Sequence, residues 1–568
     1  MLGIPVFFSR KAARHCRRPR SGTRLHVEPL ESRALLAVLT DVPIVGGVSD
    51  TQAKIWFRTD LESDVAVEYS TAADLTGSTS TPVLTTQDVN DFTGIVTLAE
   101  LLPETRYYYR IRVDGVPQQV TNFPTWTTFA TAGRDREFSF AVAADVQSGV
   151  NYPNLPAPVY AQIAADAPSF VMQIGDFDHR NPKTLSSMRT MHRDVRGPAM
   201  ASGADFAEHI SDAFPLFHMW DDHDYGKNDG DKLFAGRASA LLAFQEYFPT
   251  PTLPNPTAGV WHSFSFAQAD FFMLDLRSQR DPHSDPEGHD KSILDGDNIA
   301  NGQKNWLQAG LLSSTAAWKF VITTVPFNPT VQKKDGWAEY DTERQEILDF
   351  ITANHIHGVV LISADMHYGG GIDNGAISGL PEINVPHTNM LAHHSDTTSQ
   401  PGTWSEGILS GEGKPGYTLI RVTPTEVILE NKGVDGVVRQ SLTLSDIPVR
   451  GFSWFQETSD GNVIQQAKPA SVESGTATVP TSLKIAAFFI ASGRADSSPS
   501  TRNARPAYSE SISTPRIPST PTASIILELA SHFRRPFVHH RAPRNSRIAD
   551  LQLATNDVNA GDVAIDSP

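Results

Sequence analysis

The sequence predicts an α/β domain of buried strands, preceded by a small all-β sandwich. Three observations support this. Apolar runs of strand length alternate with helix-length segments from Arg134 onward, as a layered α/β domain requires. Several of those runs end abruptly in aspartate or histidine. Between Val42 and Ala132 the pattern is instead short, alternating and broken by Gly, Pro, Asp and Thr.

The sandwich strands are "AKIWFRT" (Ala53 to Thr59), "VAVEYS" (Val65 to Ser70), "GIVTLAEL" (Gly94 to Leu101) and "TRYYYRIRVDG" (Thr105 to Gly115). Trp56 on an early strand, together with "LLPETRYYYRI", resembles a fibronectin type III-like sandwich, in which a tyrosine fixes a corner. The region 42–133 is assigned to it, and no chemistry is expected there.

In the region 134–445 the order is strand "EFSFAVAADVQ", helix "VYAQIAADAP" and strand "SFVMQIGDFDH". A broken helical stretch "SMRTMHRDVRGPAMASGADFAEHI" follows, then a third strand, "FPLFHMWDDHD". "DFFMLDLRSQRD", "WKFVITTVPFN" and "HGVVLISADMHYGGG" repeat the theme, and "YTLIRVTPTEVILENKG" closes as a hairpin. Beyond Asp446 the chain is Ser/Pro/Arg-rich and aperiodic, so 446–568 is expected to lack a packed core.

The 568 residues carry 47 Lys and Arg against 64 Asp and Glu, a net charge of −17. That balance argues against a stable nucleic-acid partner, which needs phosphate neutralisation. It leaves an anionic substrate open, because bound cations reverse the local field. The single cysteine, Cys16, rules out a disulfide framework or a cysteine-rich zinc site within one chain. No apolar run reaches the roughly 18 residues that span a bilayer. Residues 1–41 are basic, and "RLHVEPLESRALLA" resembles an element found near the start of exported planctomycete proteins. That resemblance implies export to the cell envelope or beyond, with possible envelope association. Oligomeric state leaves no mark in the sequence.

The stretch "FPLFHMWDDHDYGKNDGD", Phe214 to Asp231, sets three carboxylates around one histidine at the edge of a buried strand. Like charges at that spacing repel unless a cation or hydrogen bonds compensate. Read alone, it is a solvated turn or a site. Three other strand ends favour the site: Asp145 with Gln147, Asp176 with Asp178 and His179, and Asp365 with His367. Ligands of α/β sheets gather beyond the carboxyl ends of the strands. Carboxylates, an amide and imidazoles without thiolates suit hard or borderline metal ions. Two such ions about 3.5–4 Å apart could share a bridging carboxylate and activate a water against phosphorus. Strand alternation would let Asp222 face the metals while Asp221 points elsewhere. His223 could then approach the leaving-group oxygen, with Asp224 orienting its ring. Arg277 either stabilises phosphoryl charge or pairs with Asp275.

The order "DVQ … GDFDH … WDDHD … SADMH" resembles the calcineurin-like metallophosphoesterases, and within them the alkaline phosphatase D branch. "WDDHDYGKND", the "MLDLRSQR" strand and the "QKNWLQAGLLSS" helix carry the resemblance over roughly residues 42–445. It implies two mixed sheets flanked by helices. It also implies Asp145 as first-metal ligand, Asp176 as bridge, Asp222 as second-metal ligand, and Asp365 and His367 as terminal ligands. His223 would be catalytic, steered by Asp224. The chain departs from that branch at Asp145, where a cysteine is common, and at His179, where a tyrosine is common. His179 remains a candidate ligand, and manganese, iron, zinc and calcium all stay open. The implied activity is hydrolysis of a small phosphoester by a metal-bound hydroxide. A phosphodiesterase or phospholipase-like activity, or a non-catalytic envelope-binding protein with a degenerate phosphatase domain, are the alternatives.

Overall fold

The computed structural model describes residues 37–147, 151–295, 302–331, 334–367, 370–389, 402–408 and 414–445, with two short strands in the segment that follows. Apart from those strands, the tail expected from 446 onward lies outside the described residues, as do residues 1–36. Everything below belongs to one compact unit that ends at Ser471.

Nine strands come first: β1 (Ile44–Gly46), β2 (Ala53–Arg58), β3 (Ser63–Ser70), β4 (Thr79–Ser80), β5 (Leu84–Thr86), β6 (Thr93–Leu98), β7 (Arg106–Val113), β8 (Val116–Pro117) and β9 (Thr125–Thr127). In β3 and β7 the alternation works as expected: Val65 and Val67 face Tyr109, Ile111 and Val113 in a buried layer. The Tyr107 hydroxyl accepts the backbone N–H of Leu102 at 2.9 Å and pins the corner of "LLPETRYYYR".

The region after Arg134 supplies β10 (Phe138–Ala143), α1 (Val159–Asp166), β11 (Phe170–Ile174), α2 (Leu185–Asp194), α3 (Ala201–His209), β12 (Leu216–Met219), α4 (Asp222–Tyr225) and α5 (Arg237–Tyr247). Next come β13 (His262–Phe266), β14 (Ala269–Met273), α6 (Gln303–Ser313), β15 (Trp318–Ile322), α7 (Asp341–Ala353), β16 (Val359–Ser363), β17 (Ile372–Asn374) and β18 (Pro381–Asn384). Strands β19 (Gly416–Val422), β20 (Val427–Gly433) and β21 (Val438–Leu444) close the domain.

Two mixed sheets result. One has nine strands in the order β21-β20-β19-β10-β11-β12-β1-β2-β6, the other six in the order β13-β14-β15-β16-β18-β17. Strands β10, β11 and β12 run parallel, as do β14, β15, β16 and β18. Phenylalanines fill the space between the sheets: Phe140 meets Phe320 edge-on at 5.3 Å, and Phe217 stacks on Phe264 at 3.8 Å. On the far side of the smaller sheet, Leu307 and Leu311 of α6 and Ile347 and Ile351 of α7 cover Leu274, Val321 and Leu361. Both faces of the parallel strands are therefore buried, which is why they read as unbroken apolar runs.

Six of the N-terminal strands, β3, β4, β5, β7, β8 and β9, form a sheet of their own, and the other three do not. β1 pairs parallel with β12, and β2 and β6 extend the same sheet outward. Gly46 permits the junction, since a Cβ there would lie 2.6 Å from the Pro249 carbonyl oxygen and 2.8 Å from that of Leu216. Trp56 is buried against α5, its indole N–H donating to the Glu246 carbonyl at 2.9 Å. The buried Arg196 guanidinium lies 4.8 Å from the Trp56 ring and 4.3 Å from that of Phe248, tying β2 to the end of α5 by cation–π contact.

Candidate metal centre

The parallel strands deliver their carboxyl ends to one place, and the loops there bend through an uncommon conformation. Asp145 after β10, Asp176 after β11, and Asp365 and His367 after β16 all have positive φ, between 49° and 57°. Non-glycine residues adopt that region at a cost, and such conformations cluster at functional sites. Two loops are zipped together: Asp145 N–H donates to the Gly175 carbonyl at 3.3 Å, and Val146 N–H to that of Asp176 at 2.7 Å. Gly175 itself, at φ +89°, leaves room for Asp221, whose Cβ would sit 2.6 Å from any Cβ added there.

Asp176 is the hub. It belongs to three overlapping groups whose ligand atoms lie within 4.8 Å of one another: Asp145–Asp176–His179–His367, Asp176–Asp222–His223 and Asp176–Asp221–Asp365. His179 Nε2 is 3.1 Å from Asp176 Oδ2. Its Nδ1 lies 3.0 Å from the Val146 carbonyl, which places the ring proton on Nδ1 and aims the Nε2 lone pair at the cluster. His367 Nε2 sits 3.2 Å from Asp365, 3.5 Å from Asp145 and 3.8 Å from Asp176. All six residues expected as metal ligands are thus brought together.

The electrostatics call for cations. Asp145, Asp176 and Asp221 each bury an Oδ2 with no hydrogen-bond partner. Burial pushes Asp222 up to about 6, with Arg277 opposing and Asp176 adding to the rise. Burial also drives Asp221 well above the usual carboxylate range despite Arg277. At Asp176 burial is overcome by His223 and His179, which hold it well below that range. A cation bound among these oxygens would remove the repulsion, so donor type, number and charge all fit metal ions.

Three expectations are corrected. Asp221 does not point away. The strand stops at Met219, and α4 begins at Asp222, so alternation no longer governs where Asp221 faces. Asp224 does not steer His223; its Oδ1 accepts Phe177 N–H at 2.9 Å and its Oδ2 accepts Asp221 N–H at 3.2 Å. Arg277 does not reach a substrate. It is fully buried, with Nε 2.5 Å from Asp221 and Nη2 2.9 Å from Asp335. Asp275, offered as its ion-pair partner, instead accepts its backbone N–H at 3.0 Å.

His223 stands at the centre as expected. Its backbone N–H donates to Asp176 Oδ1 at 3.2 Å, and its Nε2 is 3.8 Å from Asp222 and 3.9 Å from Asp176. Its ring lies 4.4 Å from that of His179. Asp178 turns away to bind the Arg180 guanidinium at 2.7 Å, and Gln147 is held through its backbone N–H by Asn389 at 2.7 Å. His387 is buried beside Ala144, while His393 and His394 lie outside the described residues. Sequence reasoning missed Asp229 and Asp335, which form a further acidic group with Asp222. They come from loops far apart in the chain, and no spacing announces them.

Two mixed sheets with a carboxylate–histidine hub at their strand ends make an α/β fold that solved phosphatase structures share. The solved structure of PhoD shares it, with a TM-score of 0.58 at 18% identity over 71% of this chain and 89% of that one. So does a purple acid phosphatase from yellow lupin (Lupinus luteus) seeds, with a TM-score of 0.52 at 13% identity over 72% of this chain and 74% of that one. Residues 140–374 match the family model of the PhoD-like phosphatases. Residues 37–128 match a domain of unknown function, DUF7800. Alkaline phosphatase D of Bacillus subtilis (strain 168) is 25% identical over 313 residues, which cover 47% of this chain. The chain spans about half, 52%, of that relative's length.

Proposed function

We propose that this chain hydrolyses small phosphoesters at the Asp176 hub. The observation that carries the reading is the membership of one buried carboxylate in three overlapping ligand groups, with His223 facing the same point. The PhoD-like family and the alkaline phosphatase D relative support a phosphoric ester hydrolase. Two or more cations held here would supply an acidified water and a charge sink for the phosphoryl oxygens.

The chain's own residues do the rest. Asp145, His179 and His367 hold one side of the hub; Asp222, with Asp221 and Asp365, holds the other. His223 delivers a proton towards the departing alkoxide, and its position is fixed by the backbone hydrogen bond to Asp176. Arg277 balances Asp221 and Asp335 from behind, so that carboxylates can crowd without all demanding a cation. We also read the N-terminal strands as fibronectin type III-like, supported by the Tyr107 corner, and residues 1–41 as an export element.

The test is hydrolysis of a phosphomonoester and a phosphodiester by the same metal-replete preparation of wild type, Asp222→Asn and His223→Ala. His223→Ala should lower kcat by roughly 10²- to 10⁴-fold with metal content unchanged. Asp222→Asn should lose metal first. Equal turnover in all three would refute the mechanism, and the ratio of the two substrate rates separates monoesterase from diesterase.

A further inference from the structure

We infer that the position formed by Asp145, Asp176, His179 and His367 holds a divalent zinc-class ion, and that His179 is the residue that selects it. The inference deepens the hydrolase reading and rests on the same hub.

The donor set is two carboxylate oxygens and two imidazole nitrogens within 4.8 Å of one another. Its formal charge, two carboxylates with neutral imidazoles, is matched by one divalent ion. Among the described residues, the His, Cys, Asp and Glu donors of the group include no thiolate. Imidazole and carboxylate together suit late divalent ions, and the stability order of the first row then favours zinc over iron(II) and manganese.

His179 is built for selection. Its Nδ1 is engaged by the Val146 carbonyl at 3.0 Å, and the N–H of that same residue donates to the Asp176 carbonyl at 2.7 Å. Imidazole, carbonyl and shared carboxylate therefore form one closed unit that cannot rotate Nε2 away. Nε2 is buried without a hydrogen-bond partner and lies 3.1 Å from Asp176 Oδ2. A nitrogen lone pair fixed in this way rewards ions that bind nitrogen well. The neighbouring group, Asp176–Asp221–Asp365, offers oxygen alone and has no such preference.

The test starts with the full-length protein as purified, its metals counted by mass spectrometry and its visible absorption spectrum recorded. About one zinc-class divalent ion per chain and a colourless solution are expected. Apo protein is then offered equimolar Zn²⁺ and Mn²⁺, and the bound ratio is compared with that of His179→Asp, whose folding is checked by circular dichroism. The substitution should shift the ratio towards manganese by roughly tenfold or more. His367→Asp, measured in the same way, stands in if His179→Asp does not fold. Ferric iron with a strong visible band in the wild type, or an unchanged ratio in the folded variant, overturns the inference. Zinc bound without ester hydrolysis would sink the hydrolase reading and leave this one standing. Hydrolysis with bound ferric iron would do the reverse.

Discussion

At the scale of single residues, the hub depends on backbone geometry as much as on side chains. Gly175→Ala forces a Cβ into φ +89° and within 2.6 Å of Asp221 Cβ. We expect a loss of about 2–3 kcal/mol in urea denaturation, from the left-handed conformation and the clash together. Asp224→Asn keeps an acceptor for one of two backbone N–H groups, so it should retain most activity while lowering stability. A kcat loss like that of His223→Ala would restore the steering role that the geometry denies it. The clustering of the hub residues was legible because an aspartate or histidine at the end of an apolar run has few other reasons to recur. The roles of Asp221 and Asp224 were not, because strand alternation was carried through "DDHD" although the strand stops at Met219.

Among the elements, the decisive feature is the extension of the sheet that carries the Asp176 hub by β1, β2 and β6. Trp56→Ala removes a fully buried indole and its bond to the Glu246 carbonyl, and should cost about 3–5 kcal/mol of global stability. Its chemical denaturation, followed by tryptophan fluorescence and by activity, should still show one transition, because the strands it anchors share the sheet that carries the site. Two separate transitions would mean that the N-terminal strands fold on their own. The strands were readable from alternation and turn residues. Their partner was not: the pairing of β1 with β12 rests on a single register contact, Gly46 with Leu216, across 170 residues of chain.

For the molecule as a whole, buried histidines withdraw stability in acid, while the raised carboxylates of the hub, Asp221 and Asp222, act the other way. Burial pushes His262 down to about 4, with the Val260 carbonyl opposing, and drives His192 and His218 well below the usual histidine range. Below the unfolded value of about 6.5 the unfolded chain takes up protons that these folded sites refuse, so their contribution to stability is lost as pH drops towards 4. His262 alone contributes roughly 3 kcal/mol to that loss. The change in urea midpoint between pH 7 and pH 5 isolates this contribution when wild type is compared with His262→Asn: the variant should lose less, or gain more, stability on acidification, and an equal change in both would contradict it. Net charge and composition spoke to partners but were silent on this loss, because burial of a histidine inside a strand such as "LFHM" is decided by which sheet covers it.

The seam between β1 and β12 also has a mechanical side. A pull on the chain ahead of Ile44 loads β1 lengthwise, between a parallel neighbour and an antiparallel one. Hydrogen bonds on both flanks then share the force in shear instead of opening one after another. The stress passes straight into the strand next to β11, whose end holds Asp176, so traction on the front of this protein would be felt at the carboxylate–histidine cluster.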